Sequence, residues 1–249
     1  MRRTTPNCSF VATEQRRLVA SLASLDVGAI TRTLEAFVQP ERAVRLREVF
    51  AARLDSVTAV MDAPHDPHNG AAVIRSCDAF GVQRLHVVER LEGFLAANSV
   101  ARGSERWVDV RAHASVEDAV AALQASGHEL VATHPEGDLV PGDLASIPRV
   151  AIVLGNERTG IAAQLHAACR HSVRIPMRGF AESLNVSVTA AILLQQATAS
   201  RPGDLAEAER AQLFARALVL TVPHAAEILA HKGIAIDIPV GLSQEAGQG

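Results

Sequence analysis

The chain has few aromatic residues and almost no lysine. Its 249 residues include seven Phe, one Trp and no Tyr, and Lys232 is the single lysine among 24 basic residues. Proteins that bind single-stranded RNA on RRM-like or OB-like surfaces stack the bases on aromatic side chains. The low aromatic content therefore disfavours both classes.

Long apolar runs and a disulfide framework are also missing. No stretch approaches the ~18 consecutive apolar residues that span a bilayer, and no apolar signal segment follows Met1–Asn7. Cys8, Cys77 and Cys169 are odd in number and far apart, which argues against disulfides and for a reducing compartment. We therefore expect a cytoplasmic protein with no membrane partner.

The net charge of −3 excludes a protein that coats nucleic acid by overall electrostatic attraction alone. It does not exclude a local basic patch. Residues 1–53 carry nine arginines and five acidic residues, a balance of +4, whereas residues 54–200 have a balance of −5 and residues 201–249 one of −2. The arginines of residues 1–53 form either a solvated helix face or an arm that contacts phosphates, and charge alone favours neither.

From Val57 onward, short apolar runs alternate with helical stretches, which predicts an α/β fold: a mostly parallel sheet with helices on both faces. The predicted strands are 57–61, 85–88, 107–110, 130–133, 150–154 and 173–175, and the predicted helices between and after them are 69–80, 116–126, 159–169 and 183–199. We expect three parts, namely a basic helical N-terminal extension (1–54), the α/β domain (55–200) and a helical C-terminal extension (201–249).

Ligands of open parallel sheets bind beyond the carboxyl ends of the strands. Three loops that follow predicted strands are rich in polar residues, and they span residues 65–69, 155–160 and 177–185. The sequence therefore predicts that these loops form the functional site.

Two common nucleotide-binding motifs are excluded or weakened. Gly155 and Gly160 have the outer spacing of a P-loop, but Ile161 follows where a P-loop has Lys and then Ser or Thr. No G-x-G-x-x-G sequence follows a predicted strand, which weakens a Rossmann assignment. Taken singly, the two glycines suit a turn, and Glu157 suits the first turn of a helix, where the dipole favours an acid.

Polar residues near position 69 allow several interpretations. His65 and His68 lack the further Cys or His ligands that a metal site needs, so we expect no metal. Asn69 and Arg75 are six residues apart and do not share a helix face. If Asn69 caps the helix, both still project near its N-terminal end. Arg75 there is either a clamp for phosphate or carboxylate or a partner in a surface ion pair.

The combination of these segments is more specific than each alone. Taken in order, these segments resemble the three motifs of the SpoU branch of SPOUT RNA 2′-O-methyltransferases. They are Asn69 to Arg75, residues 154–161 (LGNERTGI), and residues 175–177 (IPM) with 183–187 (SLNVS). The similarity extends over about residues 55–232, and residues 103–108, 132–134 and the last helices resemble the TrmH subgroup.

This resemblance implies a fold, a cofactor and a site. The parallel sheet would be threaded through a C-terminal trefoil knot, an exception to the rule against knots, and the enzyme would be a homodimer that binds S-adenosyl-L-methionine (AdoMet) in the knot loops. Motif matching assigns the adenosine pocket to Thr133, Leu154, Gly155, Ile175 and Leu184. It assigns catalysis to Arg75, Asn69, Glu157, Ser183 and Asn185.

The implied reaction transfers a methyl group from a sulfonium to a ribose 2′-hydroxyl, so positioning should supply most of the catalysis. The hydroxyl must lose its proton, and an arginine is a poor base because its pKa lies above ~12. Arg75 either has a perturbed environment and abstracts the proton, or it clamps the adjacent phosphate and stabilises the alkoxide while a phosphate oxygen takes the proton.

The segment before the predicted sheet bears on the substrate. Its roughly 55 residues are too few for the L30e-like domain that ribosomal-RNA members of the group commonly carry, whereas a short basic extension is typical of TrmH-type tRNA enzymes. We therefore expect the substrate to be a tRNA guanosine in the D-loop. The alternatives are an rRNA 2′-O-methyltransferase and a non-catalytic homologue that binds AdoMet or RNA.

Overall fold

The structure, a computed structural model, describes residues 17–88, 103–156 and 158–238. The chain divides into two units. One unit is residues 54–202, and the other combines the segment before residue 54 with the segment after residue 202. Among the described residues, no helix has both the length and the apolar character needed to cross a membrane.

A six-stranded sheet lies at the centre of the unit formed by residues 54–202. Its strands are β1 (Leu54–Asp62), β2 (Val82–Val88), β3 (Asp109–His113), β4 (Glu129–Thr133), β5 (Val150–Leu154) and β6 (His171–Val173). They are ordered β3-β2-β1-β5-β4-β6, and every neighbouring pair is parallel. The α/β fold with a parallel sheet that the sequence predicted is therefore confirmed.

Helices precede, separate and follow the strands. They are α1 (Val27–Leu34), α2 (Pro40–Ala51), α3 (Pro67–Ala79), α4 (Val116–Ala125), α5 (Ala163–Ala167), α6 (Val186–Thr198), α7 (Glu207–Thr221) and α8 (Ala225–Ala230). Residues 17–23 are also helical. Within residues 54–202, one buried cluster joins the sheet to α4 and α5, and it includes Val60, Leu123, Leu130 and Leu165. Helices α3 and α6 pack on each other and contact β1. Every residue of β5 is buried, as expected for a strand covered on both faces.

The second unit is helical and draws on both ends of the chain. Here α1 and α2 pack against α7, and α8 packs against α1 and α7. The Arg47 guanidinium lies 4.1 Å from the centre of the Phe214 ring and forms a 2.7 Å ion pair with Glu35. The Asp204 amide donates a 3.0 Å hydrogen bond to the Arg53 carbonyl. Residues from the N-terminal and C-terminal extensions therefore stabilise each other.

Two predicted strands are displaced along the chain. The third begins at Asp109 rather than residue 107, because a 3₁₀ turn over Ser104–Arg106 still holds the amide of Trp107. The sixth is His171–Val173 rather than 173–175, because its partner β4 ends at Thr133, which lies opposite Val173. Residues 174 and 175 therefore lie beyond the paired part of the sheet.

Three predicted helices begin at other residues. The helix predicted over 69–80 starts earlier, at Pro67, behind an Asp66 side chain that caps it. The helix predicted over 159–169 is shorter and consists of α5 alone, which begins at Ala163. Gly160 has a φ of +68° and belongs to a turn before this helix. The helix predicted over 183–199 starts at Val186, because Asn185 occupies the capping position.

Candidate active site

The three polar loops leave the same edge of the sheet. At this edge Met61 of β1 lies beside Leu154 of β5, Ala132 of β4 lies beside Val153, and Thr133 lies beside Val173. Strands β2 and β3 extend the sheet on one side of β1, whereas β5, β4 and β6 lie on the other. The gap between β1 and β5 is thus a topological switch point, where open α/β sheets bind ligands.

A side-chain hydrogen bond joins the first of these loops to the last. The Asn185 Nδ2 donates to Asn69 Oδ1 at 3.1 Å. Asn69 is the third residue of α3, so the capping role considered for it is wrong, and Asp66 has that role by accepting from the His68 amide at 2.9 Å. Asn69 still projects from the N-terminal turn of the helix, beside the start of α6.

Ser187 determines which way the Asn185 amide faces. The Oδ1 atom of Asn185 accepts from the Ser187 amide at 2.8 Å and from the Ser187 hydroxyl at 2.6 Å. Because both donors engage the oxygen, the Nδ2 group is the one that faces Asn69. Sequence reasoning placed Ser187 in a motif but gave it no role. The preference of asparagine for helix capping positions was the available signal.

Arg75 and Ser183 are exposed and make no hydrogen bond or ion pair within the described part of the chain. Arg75 lies inside α3, and Ser183 lies in the loop before α6 rather than in the helix predicted for it. The remaining predicted catalytic residue, Glu157, lies outside the described residues. Arg75 thus presents a charged guanidinium to solvent, with no carboxylate of the described residues to compensate it.

The loop after β5 closes on itself and is tied to β1. The backbones of Asn156 and Gly160 exchange two hydrogen bonds of 2.9 Å. The Asn156 side chain donates to the Ala63 carbonyl, and the Ala162 amide donates to the Asp62 carboxylate at 2.6 Å. Asp62 lay outside the predicted polar loops, and Asn156 lay in the 155–160 loop and its motif but was given no role of its own.

The predicted cofactor residues follow the same edge. Thr133 and Leu154 end β4 and β5, Gly155 follows directly, and Ile175 and Leu184 lie beyond β6. Leu154 is buried and the other four are partly buried. The three apolar side chains and the nearby backbone groups are of the kind that line an adenine pocket. Among described residues, no group of three His, Cys, Asp or Glu side chains is arranged to hold a metal ion.

Comparison with known sequences decides the family. The sequence profile of the SpoU rRNA Methylase family matches residues 56–195, which is more than half of the chain. The chain belongs to the SpoU rRNA methylase family. The resemblance predicted from the three motifs is therefore confirmed.

Relatives of this SpoU protein include enzymes with named substrates. A protein of Escherichia coli (strain K12) named tRNA (guanosine(18)-2′-O)-methyltransferase is 37% identical over 165 residues, which cover 66% of this chain and 72% of the relative. The crystal structure of the A. aeolicus TrmH/SpoU tRNA modifying enzyme superposes with a TM-score of 0.62 at 29% identity, covering 72% of this chain and 94% of the other.

A second solved SpoU structure contains the methyl donor. The methyltransferase AviRb from Streptomyces viridochromogenes, solved in complex with the cofactor AdoMet, superposes with a TM-score of 0.53 at 30% identity. The match covers 60% of this chain and 62% of AviRb. Membership of the SpoU family makes this chain a methyltransferase, as its motifs predicted.

Proposed function

We propose that the chain methylates the ribose 2′-hydroxyl of a guanosine in the tRNA D-loop, with AdoMet as the methyl donor. The observation that carries the proposal is the hydrogen bond from Asn185 to Asn69, because it joins the first and last motifs of the family in one site. The E. coli and A. aeolicus relatives, both named for tRNA, support this substrate. The +4 balance of residues 1–53 suits a phosphate backbone.

In this proposal AdoMet is held by Thr133, Leu154, Gly155, Ile175 and Leu184. The apolar side chains would contact the adenine, and backbone groups of the loops would donate and accept its hydrogen bonds. The partial burial of these residues along one edge fits such a ligand. When bound, AdoMet would supply a methyl group on a sulfonium, and in-line attack on the methyl carbon would break its bond to sulfur, which would leave as a neutral thioether.

Arg75 prepares the nucleophile. Its guanidinium has no partner within the described residues, so it is available to bind the phosphate next to the target ribose through two parallel hydrogen bonds. It then stabilises the negative charge that develops on the 2′-oxygen. The hydroxyl proton passes to an oxygen of the same phosphate while the 2′-oxygen forms its bond to the methyl carbon. A neutral Arg75 that abstracts the proton is the less favourable route, because arginine remains charged in proteins.

The other predicted catalytic residues orient Arg75 and the ribose. Asn69 and Glu157 would hold the guanidinium and the ribose in place, and Ser183 with Asn185 would shape the loop before α6. Asn185 has a defined orientation from Ser187, which supports a positioning role rather than a proton-transfer role.

Two further arginines support an RNA substrate. Arg158 follows β5 and Arg178 follows β6, both are exposed, and neither side chain has a partner among the described residues. Exposed guanidiniums on loops that follow β5 and β6 favour a polyanion. The RNA would therefore approach the site from the carboxyl edge of the sheet.

We also propose a trefoil knot, a homodimer and a cytoplasmic location. The knot is supported by the family match and by α6, which follows the edge strand β6 yet packs on β1 and β5 in the middle of the sheet. The homodimer is supported by Met177, Phe180 and Val188, three exposed apolar side chains next to the site that a second copy would cover. An RNA substrate and the absence of a disulfide among the described residues suit the cytoplasm.

The decisive experiment measures methyl transfer from labelled AdoMet to unmodified tRNA and, separately, to rRNA fragments, followed by mapping of the modified nucleotide. Label on the ribose of a D-loop guanosine is the expected result. Label confined to rRNA would replace the proposed substrate with the rRNA alternative, which the name of the family favours. AdoMet binding without transfer to any RNA would identify a non-catalytic homologue.

A further inference from the structure

The loop after β5, residues 155–162, is tethered to the end of β1 at two points. The tether near the loop's start is the hydrogen bond from the Asn156 side chain to the Ala63 carbonyl. The tether at its end is the hydrogen bond from the Ala162 amide to the Asp62 carboxylate. Both tethers cross the switch point between β1 and β5.

Asp62 is a buried carboxylate, with 2% of its surface exposed, at the last position of β1. Its Oδ2 atom accepts from the Ala162 amide at 2.6 Å, and a hydrogen bond from an amide to a carboxylate is stronger than one between two neutral groups. A buried carboxylate is costly unless such donors surround it. Asp62 therefore holds the end of the loop at one place.

Both the nitrogen and the oxygen of the Asn156 side-chain amide form hydrogen bonds. Its Nδ2 donates to the Ala63 carbonyl, and its Oδ1 accepts from the Arg158 amide at 2.8 Å. The Asn156 side chain is thus hydrogen-bonded both to the residue that follows β1 and to its own loop. Aspartate at this position would keep the second bond and lose the first, because a carboxylate oxygen cannot donate.

Ala63, the partner of Asn156, has a backbone conformation that alanine rarely adopts. Its φ is +44°, in the left-handed region. Its amide donates to the Val88 carbonyl at 2.9 Å, and its own carbonyl accepts from Asn156. Residues held in such conformations are concentrated at functional sites, where surrounding bonds maintain the strain.

The tethered loop has little freedom of its own. Two backbone hydrogen bonds join Asn156 to Gly160, and a Cβ atom on Gly155 would lie 2.8 Å from the Gly160 carbonyl carbon. Asn156 and Gly160 are thus held together, and their position depends on how Asn156 and Ala162 are fixed to β1. The position of Glu157, assigned to catalysis, lies between the two tethers, and Gly155, assigned to AdoMet, directly precedes the first of them.

We infer that Asp62 and Asn156 are positioning residues for methyl transfer, which fix the 155–162 loop against β1 so that it holds AdoMet. This inference rests on the proposed function. Neither residue needs to touch the reacting atoms. Losing either tether should weaken AdoMet binding and slow turnover, while Arg75 and Arg178, which lie outside the 155–162 loop, keep their contacts with tRNA.

The test uses Asn156→Asp, which removes one tether, and Asp62→Asn, which removes the charge from the other. A matched control is Asp143→Asn, because Asp143 also accepts from a backbone amide, that of Val140 at 2.8 Å, but in a turn before β5. The dissociation constant of AdoMet is measured by calorimetry, and kcat and the KM values for AdoMet and tRNA are measured by methyl transfer. Thermal unfolding of each variant is followed in parallel.

We expect Asn156→Asp to weaken AdoMet binding at least tenfold and Asp62→Asn at least fivefold, with a smaller increase in the KM for tRNA, because Arg158 is the only proposed RNA contact on the tethered loop. Asn156→Gln, which keeps a donor and an acceptor, should recover part of the loss. AdoMet affinity within twofold of wild type in both variants would overturn the inference, as would an equal loss in Asp143→Asn. Wild-type protein that binds no AdoMet would overturn the proposed function as well.

Discussion

Asn185 and Asn69 are 116 positions apart in the chain, yet their side chains meet at a distance of 3.1 Å between Nδ2 and Oδ1. Each lies at the beginning of a helix, Asn185 as the cap of α6 and Asn69 in the first turn of α3. The two helices also pack on each other along their lengths. The hydrogen bond therefore sets the distance between two loops that leave different strands.

Replacing the donor of this pair should separate catalysis from stability. Asn185→Asp keeps the oxygen that caps α6, because aspartate caps helices about as well as asparagine, but it loses the N–H group that reaches Asn69. We expect the unfolding temperature to stay within about 2 °C of wild type and kcat to fall about a hundredfold. Thermal unfolding and single-turnover methyl transfer check this. Wild-type turnover in Asn185→Asp would remove the pair from the mechanism.

Ser187 should act through Asn185. Ser187→Ala removes one of the two donors that hold the Asn185 oxygen, which is worth about 1 kcal/mol, so we expect kcat to fall about fivefold with unchanged AdoMet affinity. Ser187→Thr keeps the hydroxyl and is the control. If both variants lost activity equally, shape at this position rather than the hydroxyl would be responsible.

Arg75→Ala should abolish methyl transfer while AdoMet binds with nearly its normal affinity, because the guanidinium is assigned to the RNA and not to the cofactor. Arg75→Lys should fail too, since an ammonium cannot form the paired hydrogen bonds of a planar fork. Calorimetry with AdoMet and a transfer assay on tRNA provide the two measurements. Turnover in Arg75→Ala at the wild-type rate would exclude Arg75 from the chemistry.

Arg158 and Arg178 should contribute to tRNA affinity through phosphate contacts. For Arg158→Gln and Arg178→Gln we expect weaker binding and a plot of log affinity against log salt that is shallower by about 1 for each variant. Arg170→Gln is the control, because Arg170 is equally exposed but already forms a 3.1 Å ion pair with Glu129. Slopes equal to that of wild type would place the RNA elsewhere.

A buried histidine should make the stability of the sheet depend on pH. His86 is buried beside His113, with 2.8 Å between His86 Nδ1 and His113 Nε2. Burial, followed by the nearby positive groups, lowers the pKa of His86 from 6.5 to about 3. Between these values the unfolded chain binds the proton and the folded chain does not, so the free energy of unfolding decreases as the pH falls.

The slope should reach about 1.4 kcal/mol for each pH unit below 6.5, and the contribution of His86 should be complete above that pH. Denaturant unfolding of wild type and His86→Leu at pH 7 and pH 5 measures it. The wild type should lose more stability than the variant over this interval. Parallel losses in the two proteins would contradict the low pKa.

Much of the fold could be predicted from sequence because strands buried on both faces are almost purely apolar. Residues 150–154 were predicted with correct ends, and they are the fully buried β5. Strand ends that depend on pairing with a neighbouring strand were less predictable. Strand β6 ends at Val173 because its partner β4 ends at Thr133, and that partner is a distant part of the chain. The residues of one strand do not indicate where the neighbouring strand ends.

The site was predictable where motifs concentrate and not where single contacts determine it. Asn69 and Asn185 were identified through the motif resemblance and do meet. Asp62 was not selected and Asn156 was given no role within its motif, because an aspartate at the end of a strand and an asparagine after a glycine are common beside any turn. Their contacts, to Ala162 and Ala63, depend on the order of β1 and β5 in the sheet, which apolar patterning does not reveal.

The helical unit built from both ends of the chain has a consequence during synthesis. Its first helices, α1 and α2, leave the ribosome before their partners α7 and α8 exist, and residues 54–202 must be translated in between. At 5–20 residues per second this interval lasts about 10–30 s. Throughout it, Leu34 and Phe50, which are buried in the finished protein, lack α7 and α8 to pack against. A newly made chain is therefore most vulnerable to proteases and aggregation at its N-terminus, until the last helices emerge.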